Sequence, residues 1–319
     1  MKTRKLLEPL KFLAPRELLL RVALVCRQWS EAARAEEVWR EMCEAQGYRG
    51  TGSWLAAYQK GWMMAGHVVF LWRQEMSLYD CRAETWKKSI PLRKQVQASE
   101  GTSHCFLPSC DILMCGGGTI KQSTSQAWQI SPYDGAVDRL RNMQRPRKYH
   151  GIVLFQDTVF VFGGTHSLII LSSVEAYIGE TWQIVGKMKT PRMAFQPCIS
   201  NKIVYLAGGQ TTKIETFDPQ TVTFSELSPQ LSVVSRSCAF LYNDQILILT
   251  ASSLYLLTDS LQPLEIWDRS NYENSGDSPV VVIKGKAFFP VANWSVLVQV
   301  CKEEKKWRYS EIHLSASRT

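Results

Sequence analysis

Three segments of this 319-residue chain end an apolar run in a pair of glycines, and the pairs recur at a nearly constant interval. The segments are Asp111–Gly117 (DILMCGG), Thr158–Gly164 (TVFVFGG) and Lys202–Gly209 (KIVYLAGG). The doublets begin at Gly116, Gly163 and Gly208, 47 and 45 residues apart. A fixed period of that length marks a repeat architecture, in which one unit is too small to bury its own apolar face and must stack on neighbours. Short β-rich runs closed by glycine read as strands rather than helices. Behind the doublets come further strand-like runs with spaced aromatics, Tyr177 and Trp182 in one copy and Phe217 and Phe224 in the next. Ahead of the doublets lies another apolar run, opened by Arg147 in one copy and by Arg192 in the next. Each unit therefore supplies four strands in about 45 residues.

Weaker copies extend the array. Tyr79 and Trp86 are spaced like Phe217 and Phe224, without a doublet before them. Gln245–Leu249 is followed by Thr250, Ala251, Ser252 and Ser253 where the glycines would stand. Lys286–Phe289, Ser295–Val300 and Trp307 form a last copy, and His67–Trp72, His150–Phe155 and Val280–Ile283 also read as strands. The region 67–319 predicts a mainly β fold, a β-propeller of six blades, with five or seven left open. Four-stranded blades set in a ring leave only short, protected edges.

The first 60 or so residues have a different period. Leu18, Val22, Val25 and Trp29 step by 4, 3 and 4, which places them on one helical face. Pro15 suits a first helical turn, where its missing N–H would have no partner. Leu6, Leu10 and Leu13 make a shorter stripe, and Val38, Trp39 and Met42 share one side of a helix over Ala35–Cys43. Gly47, Gly50 and Gly52 punctuate the chain before a short helix around Trp54–Lys60. The expected division is a helical domain over 1–45, a linker over 46–66 and the propeller over 67–319.

Composition excludes some functions. With 45% hydrophobic and 21% charged residues the chain has globular proportions. No apolar run reaches the roughly 18 residues that span a bilayer, and the Met1–Lys5 start leads into no secretory h-region, so neither membrane nor signal peptide is expected. Nine cysteines without a C-x-x-C pair predict reduced thiols in the cytosol or nucleus. The net charge of +8 favours acidic partners. No Lys/Arg block and no exposed stacking track points to nucleic acid. His67, His104, His150, His166 and His313 form no zinc-type pair, and no nucleophile elbow, P-loop or G-x-G-x-x-G is present. No helical pattern follows Gly116–Gly118 to hold a phosphate, and no Asp/Glu cluster recurs at equivalent blade positions. No catalytic centre, metal or cofactor is expected.

The repeats resemble kelch repeats, best over Arg147–Val185 and Arg192–Phe224 and more loosely over Asp111–Leu140. The resemblance implies structural roles for Gly163, Gly164, Gly208, Gly209, Tyr177 and Trp182. The helical segment Phe12–Ala33, with Val25-Cys26, Trp29 and then Trp39, resembles an F-box, although its opening residues Leu6–Leu10 lack the family's Leu-Pro start. Together the resemblances imply a non-catalytic substrate-recognition subunit of an SCF-type, cullin–RING ubiquitin ligase. Leu10, Leu13, Pro15, Leu18, Val22, Val25 and Trp29 would meet the Skp-family adaptor, and the propeller would hold a protein target. By analogy with kelch loops, Arg147, Lys148, His166, Arg192, Gln210 and Arg236 are target-binding candidates. Exposed, they would suit an acidic or phosphorylated segment; the alternative, that the arginines brace adjacent blades, stays open. So does a kelch-type interaction scaffold with no ligase link.

Overall fold

The structure is a computed structural model. It describes residues 39, 40 and 43, then 67–313 without 73–74, 81–84, 87–89, 93–95, 97–98, 120, 133–134, 233–235, 251–252, 265–279, 284–285, 292–295 and 304–305. Trp39 and Cys43 lie in helix and are fully buried, as the helical reading of Ala35–Cys43 requires for Trp39. The adaptor candidates Leu10, Leu13, Pro15, Leu18, Val22, Val25 and Trp29 lie outside the described residues.

The rest is mainly β and propeller-like. In the first sheet β1 (His67–Trp72) pairs with β2 (Glu75–Asp80), while β3 (Thr85–Trp86) and β4 (Ile90–Pro91) share the other edge of β2. The second is a meander of β5 (Glu100–Phe106), β6 (Ile112–Gly118), β7 (Ala127–Ile130) and β8 (Val137–Arg139). The third runs β9 (Gly151–Phe155), β10 (Thr158–Phe162), β13 (Ser173–Ile178) and β14 (Thr181–Lys187), with a small hairpin, β11 (Thr165–His166) and β12 (Ile169–Ile170), inserted after β10. In the fourth, β16 (Cys198–Ser200), β17 (Ile203–Ala207), β18 (Ile214–Asp218) and β19 (Thr223–Glu226) follow the same order. The fifth is β20 (Ser237–Tyr242), β21 (Gln245–Thr250), β22 (Leu254–Leu257) and β23 (Leu261–Leu264). The sixth is β24 (Val281–Ile283), β25 (Lys286–Val291), β26 (Val296–Glu303) and β27 (Lys306–His313). A short β15 (Phe195–Gln196) reaches forward and pairs in parallel with β20, joining the fourth unit to the fifth sheet.

Strand alternation explains why these sheets stack. Successive side chains of a strand point to opposite faces. In β10, Val159 and Val161 join a buried cluster with Leu113, Cys115 and Ala127 of the second sheet. Phe160 and Phe162 join another with Val204, Leu206 and Phe217 of the fourth. Both faces of the sheet are thus apolar, and neither can be left to water. Similar clusters fill the gaps between first and second, fourth and fifth, and fifth and sixth sheets.

The spaced aromatics do the same work. Tyr177 faces Trp182 across β13 and β14, and Phe217 faces Phe224 across β18 and β19. Trp182 packs into the gap toward the second sheet. Phe217 stacks edge-on against Phe160 and Phe162, with ring centroids 5.4 and 5.3 Å away. The expected strands fall on observed ones with ends moved by up to three residues. β5 was not expected, because Gly101, Thr102, Ser103 and His104 make neither an apolar run nor an alternation, and pairing with β6 supplies what local preference does not.

Phe217→Ala would empty the gap between the third and fourth sheets. The expected loss is about 3–5 kcal/mol, read as a lower denaturant midpoint of the full chain, with Phe224→Ala, half-buried at the rim of the same cluster, losing less.

Candidate functional site

Strand register collects the functional candidates at one end of the stack. In the third sheet Gly151 faces Phe162, Phe162 faces Val174, and Ser173 faces Lys187. The start of the first strand, the end of the second, the start of the third and the end of the fourth therefore share one end. That end carries the glycine doublets, the loops after them, and the segments that open each unit at Arg147 and Arg192.

Arg147 and Arg192 are 0% exposed. Nη1 of Arg147 donates to the carbonyls of Gly163 (2.7 Å) and Ser173 (3.1 Å), and Nη2 donates to Ser173 Oγ (3.3 Å) and Glu175 Oε1 (2.5 Å). The Glu175 carboxylate also accepts from the backbone N–H of Gln144 (2.7 Å) and Arg145 (3.0 Å). One unit later, Arg192 donates to the carbonyls of Gly208 (2.5 Å) and Lys213 (2.8 Å) and to Glu215 Oε1 (2.8 Å). Glu215 accepts from Lys189 N (2.9 Å) and Thr190 N (3.0 Å). These guanidiniums offer no surface to a target. They brace the blades, which corrects the expectation that they line an exposed basic ring. Glu175 and Glu215, their partners, were not singled out in the sequence, although each stands two residues before the marked aromatic, Tyr177 or Phe217.

The doublet makes room for this brace. Gly163 and Gly164 have φ of 60° and 91°, and a Cβ on Gly163 would sit 2.4 Å from the Arg192 carbonyl oxygen. That carbonyl accepts from Gly164 N at 2.8 Å, and the Arg147 carbonyl accepts from Gly117 N at 2.9 Å. Each arginine thus holds the preceding sheet by its main chain and its own sheet by its side chain.

A second series of backbone bonds links the openings: Tyr149 N to Gly101 O (2.7 Å), Ala194 N to Tyr149 O (2.7 Å) and Ser237 N to Ala194 O (3.3 Å). It makes Gly101, Tyr149, Ala194 and Ser237 equivalent. Arg236 therefore matches Lys148 and Met193, not Arg147 and Arg192, and the sequence reading that grouped it with the two opening arginines is off by one position.

Lys148, Arg236 and His166 come together with Tyr149. Lys148 Nζ lies 5.3 Å and Arg236 Cζ 5.7 Å from the Tyr149 ring centre, within cation–π range. The Tyr149 hydroxyl donates to Glu100. Lys148 Nζ donates to Thr119 O at 2.9 Å, and His166 Nδ1 shares a hydrogen bond with Ser123 Oγ at 2.7 Å, so the loops of the second and third sheets are tied. Gln210 is exposed in the loop after the next doublet, at φ 69°. Sequence reasoning missed the hairpin tip Ser167–Leu168; its signal, an apolar Leu168-Ile169-Ile170 run inside a loop, was present.

Behind this end the core is buried. His150 Nε2 lies 3.3 Å from Cys115 Sγ. Burial, with a smaller push from Arg147, holds the His150 imidazole well below its ordinary range, and burial raises the Cys115 thiol well above its own. Burial also lifts the Cys105, Cys198 and Cys238 thiols to about 12. A thiol held in its protonated form is a poor nucleophile. No group of three or more His, Cys, Asp or Glu side chains that could hold a metal occurs among the described residues.

Two measurements check this geometry. Arg147→Met or Glu175→Met alone strands a buried charge and is expected to cost about 3–5 kcal/mol, whereas the double variant recovers most of it; additive losses in denaturant titrations would contradict the brace. Unfolded His150 takes a proton near pH 6.5 while the buried imidazole resists it. Stability should therefore fall as pH drops through about 6.5, and His150→Asn should flatten that slope.

Comparison with known proteins agrees with both halves of the chain. Residues 6–45 match the F-box-like family and residues 146–189 the Kelch motif. Beta-scruin of Limulus polyphemus is 32% identical over 97 residues, covering 30% of this chain and 11% of that protein. Kelch-like protein 35 of Mus musculus is 28% identical over 127 residues, covering 37% and 22% respectively. This chain thus spans only about a tenth to a fifth of those relatives' lengths. The solved structure of YjhT superposes with a TM-score of 0.66 over 77% of this chain and 95% of that one, at 9% identity, which speaks for the fold alone. The chain carries an F-box-like domain and a Kelch motif and has homologues among kelch proteins.

Proposed function

We propose that this protein is the substrate-recognition subunit of an SCF-type, cullin–RING ubiquitin ligase. The supporting observation is the pairing, in one chain, of an F-box-like region over 6–45 with a kelch-type stack of sheets whose loops gather at one end. The F-box-like helices dock on the Skp-family adaptor through an apolar face drawn from Leu10, Leu13, Pro15, Leu18, Val22, Val25 and Trp29. Apolar and tryptophan anchors at the centre of an interface carry most of the binding energy in such contacts. The loop end holds a protein target near the ubiquitin-conjugating partner. The acceleration comes from proximity, with the reacting groups on other subunits. Of the six target-binding candidates, Lys148, His166, Gln210 and Arg236 remain in this role. The cysteine pattern fits a reducing compartment, the cytosol or nucleus.

Co-expression with the Skp-family adaptor tests the reading. The full chain is expected to co-purify with the adaptor in a near-stoichiometric complex, and Leu18→Asp with Val22→Asp to abolish it while the β region still melts cooperatively. A well-folded wild-type chain that leaves the adaptor behind would instead establish an interaction scaffold without a ligase link.

A further inference from the structure

The hairpin β11–β12 puts apolar side chains where folding gains nothing from them. Its two-residue turn is Ser167–Leu168, with φ of 49° and 67°. Two positive φ values define a type I′ turn, in which Asn-Gly is the favoured pair because other side chains are strained there. Leu168 is 94% exposed and Ile169 66% exposed. A leucine that is both strained and in water contributes no packing that would account for its presence.

The tip is also held still. Thr165 Oγ1 donates to Ile169 O at 3.0 Å across the hairpin, and Leu171 N donates to Gly164 O at 2.8 Å behind it. Lys148 and Thr165 exchange backbone hydrogen bonds at the hairpin's base (3.1 and 2.8 Å). His166, bonded to Ser123, anchors it to the loop of the preceding sheet. A loop whose backbone is held before the partner arrives loses less entropy on association.

Beside the tip the charge is mainly positive. Lys148 stands at the hairpin's base and reaches Thr119 O, and Lys121 is exposed in the turn closed by Thr119 N and Gln122 O at 2.8 Å. Arg236 lies over the same Tyr149 ring as Lys148, and the carboxylate that meets this group, Glu100, accepts from the Tyr149 hydroxyl. The lysines are point charges on separate loops rather than a converging arginine fork, an arrangement that fits several spaced carboxylates better than one phosphate.

We propose that this end recognises an acidic peptide segment of its target that carries a bulky apolar residue beside its carboxylates. The apolar residue packs on Leu168 and Ile169, and the carboxylates meet Lys121 and Lys148. The inference rests on the reading of this end as the target-binding surface and adds the chemistry of what binds there.

A random peptide library displayed on phage, panned against the immobilised full chain, tests it. The enriched peptides should place Leu, Ile, Met, Phe or Trp within a few residues of two or more Asp or Glu. Synthetic copies should bind in fluorescence anisotropy and weaken with added salt. Leu168→Asn with Ile169→Thr removes the apolar tip but keeps residues suited to the turn and strand, so it should melt at or above the wild-type temperature and bind about tenfold or more weakly. Lys121→Glu with Lys148→Glu should weaken binding at least as much. If no peptide enriches, if the enriched set lacks acids, or if the Leu168/Ile169 variant binds like wild type, the proposal is overturned. Loss in the lysine variant with full binding in the tip variant would retain this end as the target site and reject the hairpin's part in it. Enriched peptides that bind all variants equally would place target recognition elsewhere.

Discussion

A guanidinium in a dry interior is tolerable only when acceptors surround it, and Arg147 and Arg192 are built into the frame on that condition. Burial pulls both guanidiniums below their ordinary range, and the neighbouring Glu175 and Glu215 pull the other way without overcoming it. The ion pair is therefore a poor source of net stability, as buried pairs often are. What it supplies is position. The two Nη groups of Arg147 find their acceptors only if the Gly163 carbonyl, the Ser173 carbonyl and the Glu175 carboxylate stand together, and Glu175 in turn accepts from Gln144 N and Arg145 N. Shifting the opening segment against the third strand of its own sheet would leave a charge unpaired, and the carbonyls of Arg147 and Arg192, bonded to Gly117 N and Gly164 N, tie the preceding sheet to that segment. The apolar gaps between sheets supply the driving force, since Val159, Phe160 and their neighbours lose area to water on either face. The braces select one register from the many that would bury a similar area.

The weaker units show the same constraint from the other side. The backbone series through Gly101, Tyr149 and Ala194 aligns the openings, so in the second sheet Ser99 occupies the position of Arg147 and Arg192. Strand register aligns the third strands, where Trp128 and Leu256 occupy the positions of Glu175 and Glu215. In the second sheet cation and anion disappear together. Removing one alone would leave an uncompensated buried charge, whereas replacing both leaves an ordinary neutral contact. The degenerate repeats are coherent variants of one blade rather than eroded copies of it.

That coherence accounts for what could be read from the sequence. Apolar strands ending in glycine pairs were legible because both signals are local: alternation is a property of one strand, and positive φ of one turn. Tyr177 with Trp182 and Phe217 with Phe224 were legible because each pair belongs to two strands joined by a tight turn, and so sits close in sequence. The burial of Arg147 and Arg192 was not, because it depends on Glu175 and Glu215, 28 and 23 residues away. An arginine beside a loop looks identical in sequence whether it faces water or a buried carboxylate. Arg236 was misplaced for a related reason: only the backbone bond from Ser237 to Ala194 reveals the true alignment. The polar strand Glu100–Phe106 likewise draws its conformation from β6, not from itself.

The same division separates what the frame fixes from what it leaves to vary. Gly116 and Gly163 approach the carbonyl of the next unit's opening arginine closely, so their surroundings recur from the second sheet to the third. The loops that follow them are under no such demand. Nine residues lie between Gly117 and Ala127, eight between Gly164 and Ser173, and four between Gly209 and Ile214. They share no sequence pattern: one holds Lys121 in a turn, one extends the β11–β12 hairpin, one presents Gln210. Because Arg147 and Arg192 hold the carbonyls at the two ends of the second and third of these loops, a change in those loops' length or content leaves their sheets in place. Recognition can then be set by a few loop residues at a single end, without revising the core that carries them.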